Sequence, residues 1–225
     1  AVMEPGDTSG TALWNPVKQD WSLDLISCID PSLKNKLPVV RPSTEPIGNI
    51  SDNLLERFGF SSDCMIDAGS GDNMYGAIGT GNVKPGIVTV SLGTSGTAYT
   101  FMEEPFVDPE GEIASFCDST GNYLPLLCVS NLANGFDEFC RINDISHHQF
   151  DELIDQTEPG NNGRVLIPWY EGERTPDIPN ATPLYFGFTL EDFNQKTLSR
   201  SILEGHLLNL YSGFESLPVV PKQIL

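Results

Sequence analysis

The segment Gly86–Phe101, GIVTVSLGTSGTAYTF, decides the fold because its apolar and small polar residues alternate with the two-residue period of a β-strand. The alternation runs over residues 86–92, stops at Gly93-Thr-Ser-Gly96, and resumes over residues 97–101. This pattern predicts a β-hairpin whose turn comes close to another group. Either the glycines serve only the conformation of the turn, or its N–H groups and hydroxyls cradle a phosphate.

The segments on both sides of this hairpin predict a mixed α/β chain. Upstream, residues 51–59 predict a short helix, residues 64–68 a strand, and the residues up to about 79 a second helix. Downstream, the patterns predict strands at 113–116, 123–127 and 165–167 and helices near 131–142, 147–156 and 197–215. The last helix is expected to present an apolar face, formed by Leu198, Ile202, Leu207, Leu208, Tyr211 and Phe214.

The turn Ala68-Gly-Ser-Gly-Asp-Asn73 places one carboxylate between the predicted strand and the helix that follows it. A carboxylate in front of a helix ordinarily caps it, because it accepts hydrogen bonds from the free N–H groups of the first turn. The alternative interpretation is a general base at the mouth of a cleft, which accepts the proton of a substrate hydroxyl. The position of Asp72 alone leaves both interpretations open.

Charge and composition exclude several classes of protein. Only 12 Lys and Arg residues stand against 31 Asp and Glu residues, and this net charge of −19 argues against a nucleic-acid partner. No apolar run approaches the length of a membrane span, so we expect no membrane partner and a cytoplasmic location. The five cysteines form no CxxC pair and the three histidines form no HExxH pattern, so no metal ligands are assigned.

Six motifs in order along the chain resemble those of the FGGY family of carbohydrate kinases. Within that family the likeness is to bacterial xylulokinases. The motifs are DTSGTALWN (7–15), AGSGDN (68–73), GAIGTGNVKPG (76–86), VSLGTSGTAY (90–99), PWYEGERTP (168–176), and FGF (186–188) with LSRSILEG (198–205).

The resemblance implies an α/β fold of the actin/hexokinase/Hsp70-like, or ribonuclease H-like, type, in which a sugar kinase has two lobes. Residues 1–85 would be the end of the first, sugar-binding lobe, and residues 86–225 the first half of the second, nucleotide-binding lobe. Pro and Gly residues over Val83–Gly86 also favour a boundary there. The implied reaction is ATP- and Mg²⁺-dependent phosphorylation of a sugar hydroxyl, with D-xylulose the expected sugar and glycerol, gluconate and ribulose the alternatives.

The same resemblance implies a role for several residues. The catalytic base of the family falls on Asp72 and a sugar-binding amide falls on Asn73. The loop that binds the ATP phosphates falls on Gly93, Thr94, Ser95 and Gly96. The helix that contains Asn134 would flank the nucleotide. Arg174 would either line the cleft or pair with the glutamates beside it.

The resemblance also covers only part of a family member. A DxGT-like phosphate loop and a GGGA-like nucleotide motif do not occur in the sequence, so we expect both ends to be cut from a longer protein. On this basis the isolated chain is expected to be inactive, and a non-catalytic binding or assembly module stays an alternative. The expected partners are a small-molecule sugar and ATP, with a homodimer left open. A Rossmann dinucleotide site is disfavoured because no GxGxxG opens a helix after a strand.

Overall fold

The structure is a computed structural model that describes all residues from Ala1 to Leu225. Seven α-helices occur in chain order: α1 (Pro5–Ser9), α2 (Leu23–Ile29), α3 (Asp52–Phe58), α4 (Asp72–Thr80), α5 (Ala133–Asn143), α6 (His147–Asp155) and α7 (Gln195–Ser212). Thirteen strands accompany them: β1 (Val2–Met3), β2 (Trp14–Asn15), β3 (Asp20–Trp21), β4 (Val39–Val40), β5 (Pro46–Asn49), β6 (Met65–Asp67), β7 (Ile87–Leu92), β8 (Gly96–Thr100), β9 (Ala114–Cys117), β10 (Tyr123–Val129), β11 (Val165–Ile167), β12 (Leu184–Phe186) and β13 (Gln223–Ile224). The predicted hairpin and the helices around it are therefore present.

The hairpin forms the centre of a five-stranded sheet with strand order β13-β7-β8-β10-β9. All neighbouring strands are antiparallel except β13, which runs parallel to β7. Successive side chains of a strand point to opposite faces of the sheet. Each face of the sheet therefore presents its own row of apolar side chains. The first face carries Val88, Ala98, Leu127 and Val129. The second face carries Tyr99, Leu124 and Leu126.

A helix covers each face of this sheet. Leu210 of α7 packs on the first face, and Met74 and Ala77 of α4 pack on the second. A buried amide fastens the segment after α4 to the hairpin, because Asn82 donates to the Tyr99 carbonyl at 2.9 Å and accepts from the Phe101 N–H at 3.1 Å. The start of α4, which carries the predicted base, is thereby held at a defined place against the sheet.

The predicted division between residues 1–85 and 86–225 stays a prediction. Helix α4 lies on the N-terminal side of this boundary and packs on the sheet, which lies on the C-terminal side. By contrast, the segment 44–67, which contains β5, α3 and β6, has no buried residue. Its helix ends as expected at Gly59, which adopts the left-handed conformation with φ of 70°.

A second apolar cluster joins α5, α6, α7 and β11 beside the sheet; it contains Phe139, Cys140, Phe150, Leu166 and Ile202. The apolar face predicted for the last helix is wrong in part. Leu207, Leu208 and Tyr211 are exposed, whereas the buried face of α7 carries Ser199, Ser201, Gly205, His206 and Asn209 beside Ile202 and Leu210. Small and hydrogen-bonding residues are needed there because α7 lies directly against the backbone of β11.

We expect Gly205→Ala to destabilise the protein by about 1–3 kcal/mol, since overpacking of a tight contact has this cost. A Cβ atom at Gly205 would lie 2.4 Å from the backbone oxygen of Leu166, so α7 and β11 would have to separate. Gly79→Ala is the matched control, because a Cβ atom at Gly79 in α4 meets no atom within 4 Å. Urea denaturation measures both variants; equal midpoints for the two would contradict the assignment of a tight helix–strand contact.

Helix α1 rests on the far edge of the sheet, where Ser9 Oγ accepts the N–H of Cys117 at 3.1 Å. The buried carboxylate of Glu4 caps this helix by accepting from the N–H groups of Gly6 and Asp7 at 2.6 and 2.5 Å. These bonds fix the place of Asp7, the first residue of the DTSG motif. None of the helices combines the length and the apolar character needed to cross a membrane.

Candidate active site

Asp72 is the first residue of α4, and its carboxylate is exposed. The N-cap position belongs to Gly71, so Asp72 is not the N-cap residue, although its carboxylate accepts one free N–H of the first turn. Asp72 Oδ1 accepts the N–H of Asn73 at 2.8 Å, which orients the carboxylate and leaves its other oxygen free. The half-buried Asn73 makes no side-chain hydrogen bond within the chain. Both side chains are therefore available to a ligand.

The turn before Asp72 depends on its two glycines for different reasons. Gly69 has φ of 81°, in the left-handed region that favours glycine. Gly71 has an ordinary φ, but a Cβ atom there would lie 2.9 Å from Asp7 Oδ1 and 3.1 Å from the Met74 sulfur. The exposed carboxylate of Asp7 therefore lies against the same turn as Asp72. The sequence contained this residue in a motif, but its position beside Gly71 required the tertiary structure.

Tyr99 connects the base to the hairpin. Its ring is buried under α4, and its hydroxyl reaches Gly76, where a Cβ atom would lie 3.0 Å away. Burial, and after it the negative charge of Asp72, raises the pKa of the Tyr99 hydroxyl. Because Tyr99 belongs to β8, which begins at Gly96, the predicted base and the predicted phosphate turn are carried by two elements in direct contact.

The turn Gly93–Gly96 presents free donors at the end of the hairpin. Gly93, Thr94 and Ser95 are exposed, and within the chain the N–H groups and hydroxyls of Thr94 and Ser95 have no partner. Neither glycine has a positive φ, so turn conformation does not require them. At Gly96 glycine is required by packing, since a Cβ atom would lie 2.9 Å from a methyl group of Val129.

Two carbonyl groups of this turn bind the start of α5. The Gly93 and Thr94 oxygens accept from the N–H groups of Ala133 and Leu132 at 3.1 and 3.2 Å. Asn134 Oδ1 also accepts from the Leu132 N–H, at 2.9 Å. The turn is thereby fastened through its acceptors, while its donors stay open to an anion.

Beside the start of α5 lies a cavity of about 420 Å³; its lining includes Asn131, Asn134, Gly135, Phe139, Tyr170 and Tyr185. The fully buried His206 lies next to Gly135 of this lining. A Cβ atom at Gly135 would be 2.2 Å from the Nε2 atom of His206. Burial lowers the pKa of His206, which favours the neutral ring. The cavity is therefore walled by aromatic, aliphatic and amide groups, with the carboxylates of Glu138 and Glu171 also in its lining.

A buried carboxylate joins the elements around this turn. Glu173 is 3% exposed, and its Oε1 accepts from the N–H groups of Ser130 at 2.5 Å and of Arg174 at 2.8 Å. Its Oε2 accepts from the side-chain amides of Asn131 at 3.1 Å and Asn209 at 2.9 Å. Glu173 therefore links the residues before α5, the loop that carries Arg174, and α7. Sequence reasoning considered this glutamate only as an ion-pair partner of Arg174, because nothing in its local pattern indicates burial.

The guanidinium of Arg174 is exposed and makes no ion pair with a carboxylate. The alternative in which Arg174 pairs with its neighbouring glutamates is therefore wrong. The side chain of Glu173 turns inward, and the only group of Arg174 that it binds is the backbone N–H.

The chain contains no group of three His, Cys, Asp or Glu side chains that could hold a metal ion. Mg²⁺ in phosphotransfer sites is typically held by one or two carboxylates together with substrate phosphates and water. The exposed carboxylate of Asp7, which lies against Gly71, fits that type of donor set. It would hold the ion only together with the phosphates.

Comparison with known proteins identifies the family of this chain. Residues 1–79 match the model of the N-terminal domain of the FGGY family of carbohydrate kinases. The chain is 34% identical over 214 residues to a xylulose kinase of Haemophilus influenzae, covering 94% of this chain and 43% of that protein. It therefore spans less than half the length of this relative.

Solved structures agree with this result. The chain is similar to the crystal structure of xylulose kinase from Bifidobacterium adolescentis, with a TM-score of 0.80, 29% identity and coverage of 99% of this chain and 47% of that one. The likeness to gluconate kinase from Lactobacillus acidophilus shows the fold alone, with a TM-score of 0.86, 24% identity and coverage of 99% and 46%. The expected sugar-kinase fold of the actin/hexokinase type is confirmed, and the chain belongs to the FGGY family of carbohydrate kinases.

Proposed function

We propose that this chain supplies the catalytic base and the phosphate-binding turn of an ATP-dependent sugar kinase, with D-xylulose as the sugar. The observation that carries the proposal is the contact between α4 and the hairpin. Tyr99 of β8 packs under α4, so this contact joins the helix that starts with the exposed carboxylate of Asp72 to the hairpin whose turn has four free donors. A phosphotransferase needs these two groups at the same cleft, because its catalysis consists mainly of positioning and charge stabilisation.

In the proposed reaction the free carboxylate oxygen of Asp72 accepts the proton of the sugar hydroxyl, for D-xylulose the 5-hydroxyl. The hydroxyl oxygen then forms a bond to the γ-phosphorus of ATP while the bond between that phosphorus and the ADP oxygen breaks. The unpartnered amide of Asn73, one residue further along α4, is proposed to bind another oxygen of the sugar. The carboxylate is suited to this role because only the adjacent N–H of Asn73 occupies it.

The ATP phosphates are proposed to bind at Gly93, Thr94, Ser95 and Gly96. Backbone N–H groups and hydroxyls suit an anion in a protein with a net charge of −19, because they supply donors without basic side chains. The cavity beside Asn134 is proposed to take the nucleoside, since it adjoins the helix whose first N–H groups bind the turn carbonyls. Bound Mg²⁺ would neutralise phosphate charge, and the exposed carboxylate of Asp7 is proposed to hold it together with the phosphates.

The choice of D-xylulose rests on the relatives named xylulose kinase, since the chain itself names no sugar. The gluconate kinase with the same fold keeps other sugars open as alternatives. We also propose the two-lobe division at residues 85 and 86 and a cytoplasmic location.

A coupled assay of ADP release tests the function on the whole protein that contains this chain. With MgATP and equal concentrations of D-xylulose, ribulose, glycerol and gluconate, we expect the highest kcat/KM for D-xylulose. Faster turnover of another polyol would overturn the substrate and keep the reaction class. Absence of sugar-dependent ADP release with every substrate would favour the non-catalytic binding module.

A further inference from the structure

Arg174 differs from every other arginine of the chain in its surroundings. The chain has six arginines, and four of them, Arg41, Arg141, Arg164 and Arg200, form ion pairs with carboxylates. The fifth, Arg57, lies over the ring of Phe58, 5.1 Å from its centre. Arg174 has neither type of partner, although acidic residues outnumber basic ones by 31 to 12. An unpaired guanidinium in so acidic a protein indicates a role toward an external anion.

The position of Arg174 relates it to the candidate active site. Burial raises the pKa of the Cys128 thiol, and the charge of the adjacent Arg174 acts against that rise. Cys128 lies opposite Thr97 in the ladder of β10 and β8, and the next pair is Val129 with Gly96, the last residue of the phosphate turn. Opposite residues share a face of the sheet. Cys128 packs on the cluster that contains Met74 and Tyr99. Glu173 Oε1 accepts from the N–H groups of both Ser130 and Arg174, so the backbone of Arg174 lies at the end of β10 that is nearest the turn.

A polar atom without a partner occurs at the same place. The hydroxyl oxygen of Thr97 is buried and makes no hydrogen bond within the chain. Buried polar groups are nearly always hydrogen-bonded, so each exception calls for an explanation. A ligand or water that spans from the turn toward Arg174 would supply the missing partner.

The backbone at Arg174 is held rigidly by the buried Glu173. Its Oε1 binds both the Arg174 N–H and the Ser130 N–H, and Ser130 is two residues before Leu132, which binds the turn carbonyl of Thr94. The loop is further fixed where the carbonyl of Gly172 accepts from Asn131 Nδ2 at 2.8 Å. One carboxylate thus sets the distance between the arginine and the phosphate turn.

We propose that Arg174 binds a phosphoryl oxygen of the ligand held at the Gly93–Gly96 turn, and that Glu173 is its positioning residue. The inference rests on the proposed function for the identity of the turn as a phosphate site. The ligand class is a phosphate anhydride or ester with at least two negative charges. Such an anion reaches the turn either as the triphosphate of the nucleotide or as the phosphate of the phosphorylated sugar, and the same guanidinium chemistry binds both.

The test is a set of titration-calorimetry experiments on the whole protein. The probes are MgATP, inorganic tripolyphosphate, D-xylulose 5-phosphate and adenosine, and the variants are R174A and R174K, with R141A as control. Arg141 is also an exposed arginine, but it pairs with Glu138. For R174A we expect the affinity for tripolyphosphate and MgATP to fall roughly tenfold to hundredfold, the range for a charge-assisted hydrogen bond. R174K should fall between R174A and the wild type, and adenosine affinity should not change.

Five outcomes separate the interpretations. Loss confined to D-xylulose 5-phosphate would identify the sugar phosphate as the ligand of Arg174, whereas loss for tripolyphosphate identifies the nucleotide. Partial recovery of R174A binding by added guanidinium ion supports direct contact, because a purely structural defect would not respond to it. Equal affinity of R174A and wild type for every phosphate probe would overturn the proposal. A wild type that binds tripolyphosphate but phosphorylates no sugar would refute only the proposed reaction.

Discussion

Asp72→Asn in the whole protein is expected to lower kcat for sugar phosphorylation by a factor of roughly 100–10,000, the range that a positioned general base contributes. Asparagine preserves the shape of the side chain, and its carbonyl oxygen can still accept the N–H of Asn73. It cannot accept the proton of the sugar hydroxyl. The KM for the sugar should therefore change much less than kcat, and steady-state kinetics of ADP release measure both.

Asp63→Asn is the matched control for this variant. Asp63 is exposed in the turn before β6, and its carboxylate only meets the hydroxyl of the neighbouring Ser62, at 3.5 Å. This control should keep the turnover of the wild type. If Asp72→Asn also turns over at the wild-type rate, Asp72 is not the base and the proposed mechanism is wrong.

Glu173→Gln is expected to lower the free energy of unfolding by about 2–5 kcal/mol, because it leaves buried donors without an acceptor. Each carboxylate oxygen of Glu173 accepts two N–H groups. In glutamine an NH₂ group replaces one oxygen, so two donors face another donor whichever way the amide is placed. Urea denaturation followed by circular dichroism measures the loss.

Glu171→Gln provides the same substitution two residues upstream on an exposed side chain, and its midpoint should match the wild type. The variants also test positioning. If Glu173 holds Arg174, the losses in tripolyphosphate affinity caused by Glu173→Gln and Arg174→Ala should not add in the double variant. Additive losses would assign Glu173 a role in stability alone.

Local pattern was sufficient for most of the fold. The alternation in residues 86–101 predicted β7 and β8, and the pattern at 165–167 predicted β11 at its observed bounds. Strand and helix periods were readable there because each segment buries one apolar face. Helix α7 shows where this reasoning fails, since Leu207, Leu208 and Tyr211 are exposed while Asn209 and His206 are buried. The buried face of α7 packs against the backbone of β11 and binds the buried carboxylate of Glu173. These contacts require glycine and amide side chains instead of leucine.

The sequence by itself determined the hairpin, the glycine-containing turn at its end, and a carboxylate between a strand and a helix. These are local features, because strand period, turn glycines and helix starts depend on residues close in the chain. Only the tertiary structure decided that Gly71 rather than Asp72 takes the N-cap position, that Asp7 lies beside this turn, and that Glu173 turns inward while Arg174 forms no ion pair. The places of Asp7 and Glu173 depend on contacts between residues 36–64 positions apart in the sequence, from Asn209 with Glu173 to Asp7 with Gly71, which local pattern does not encode.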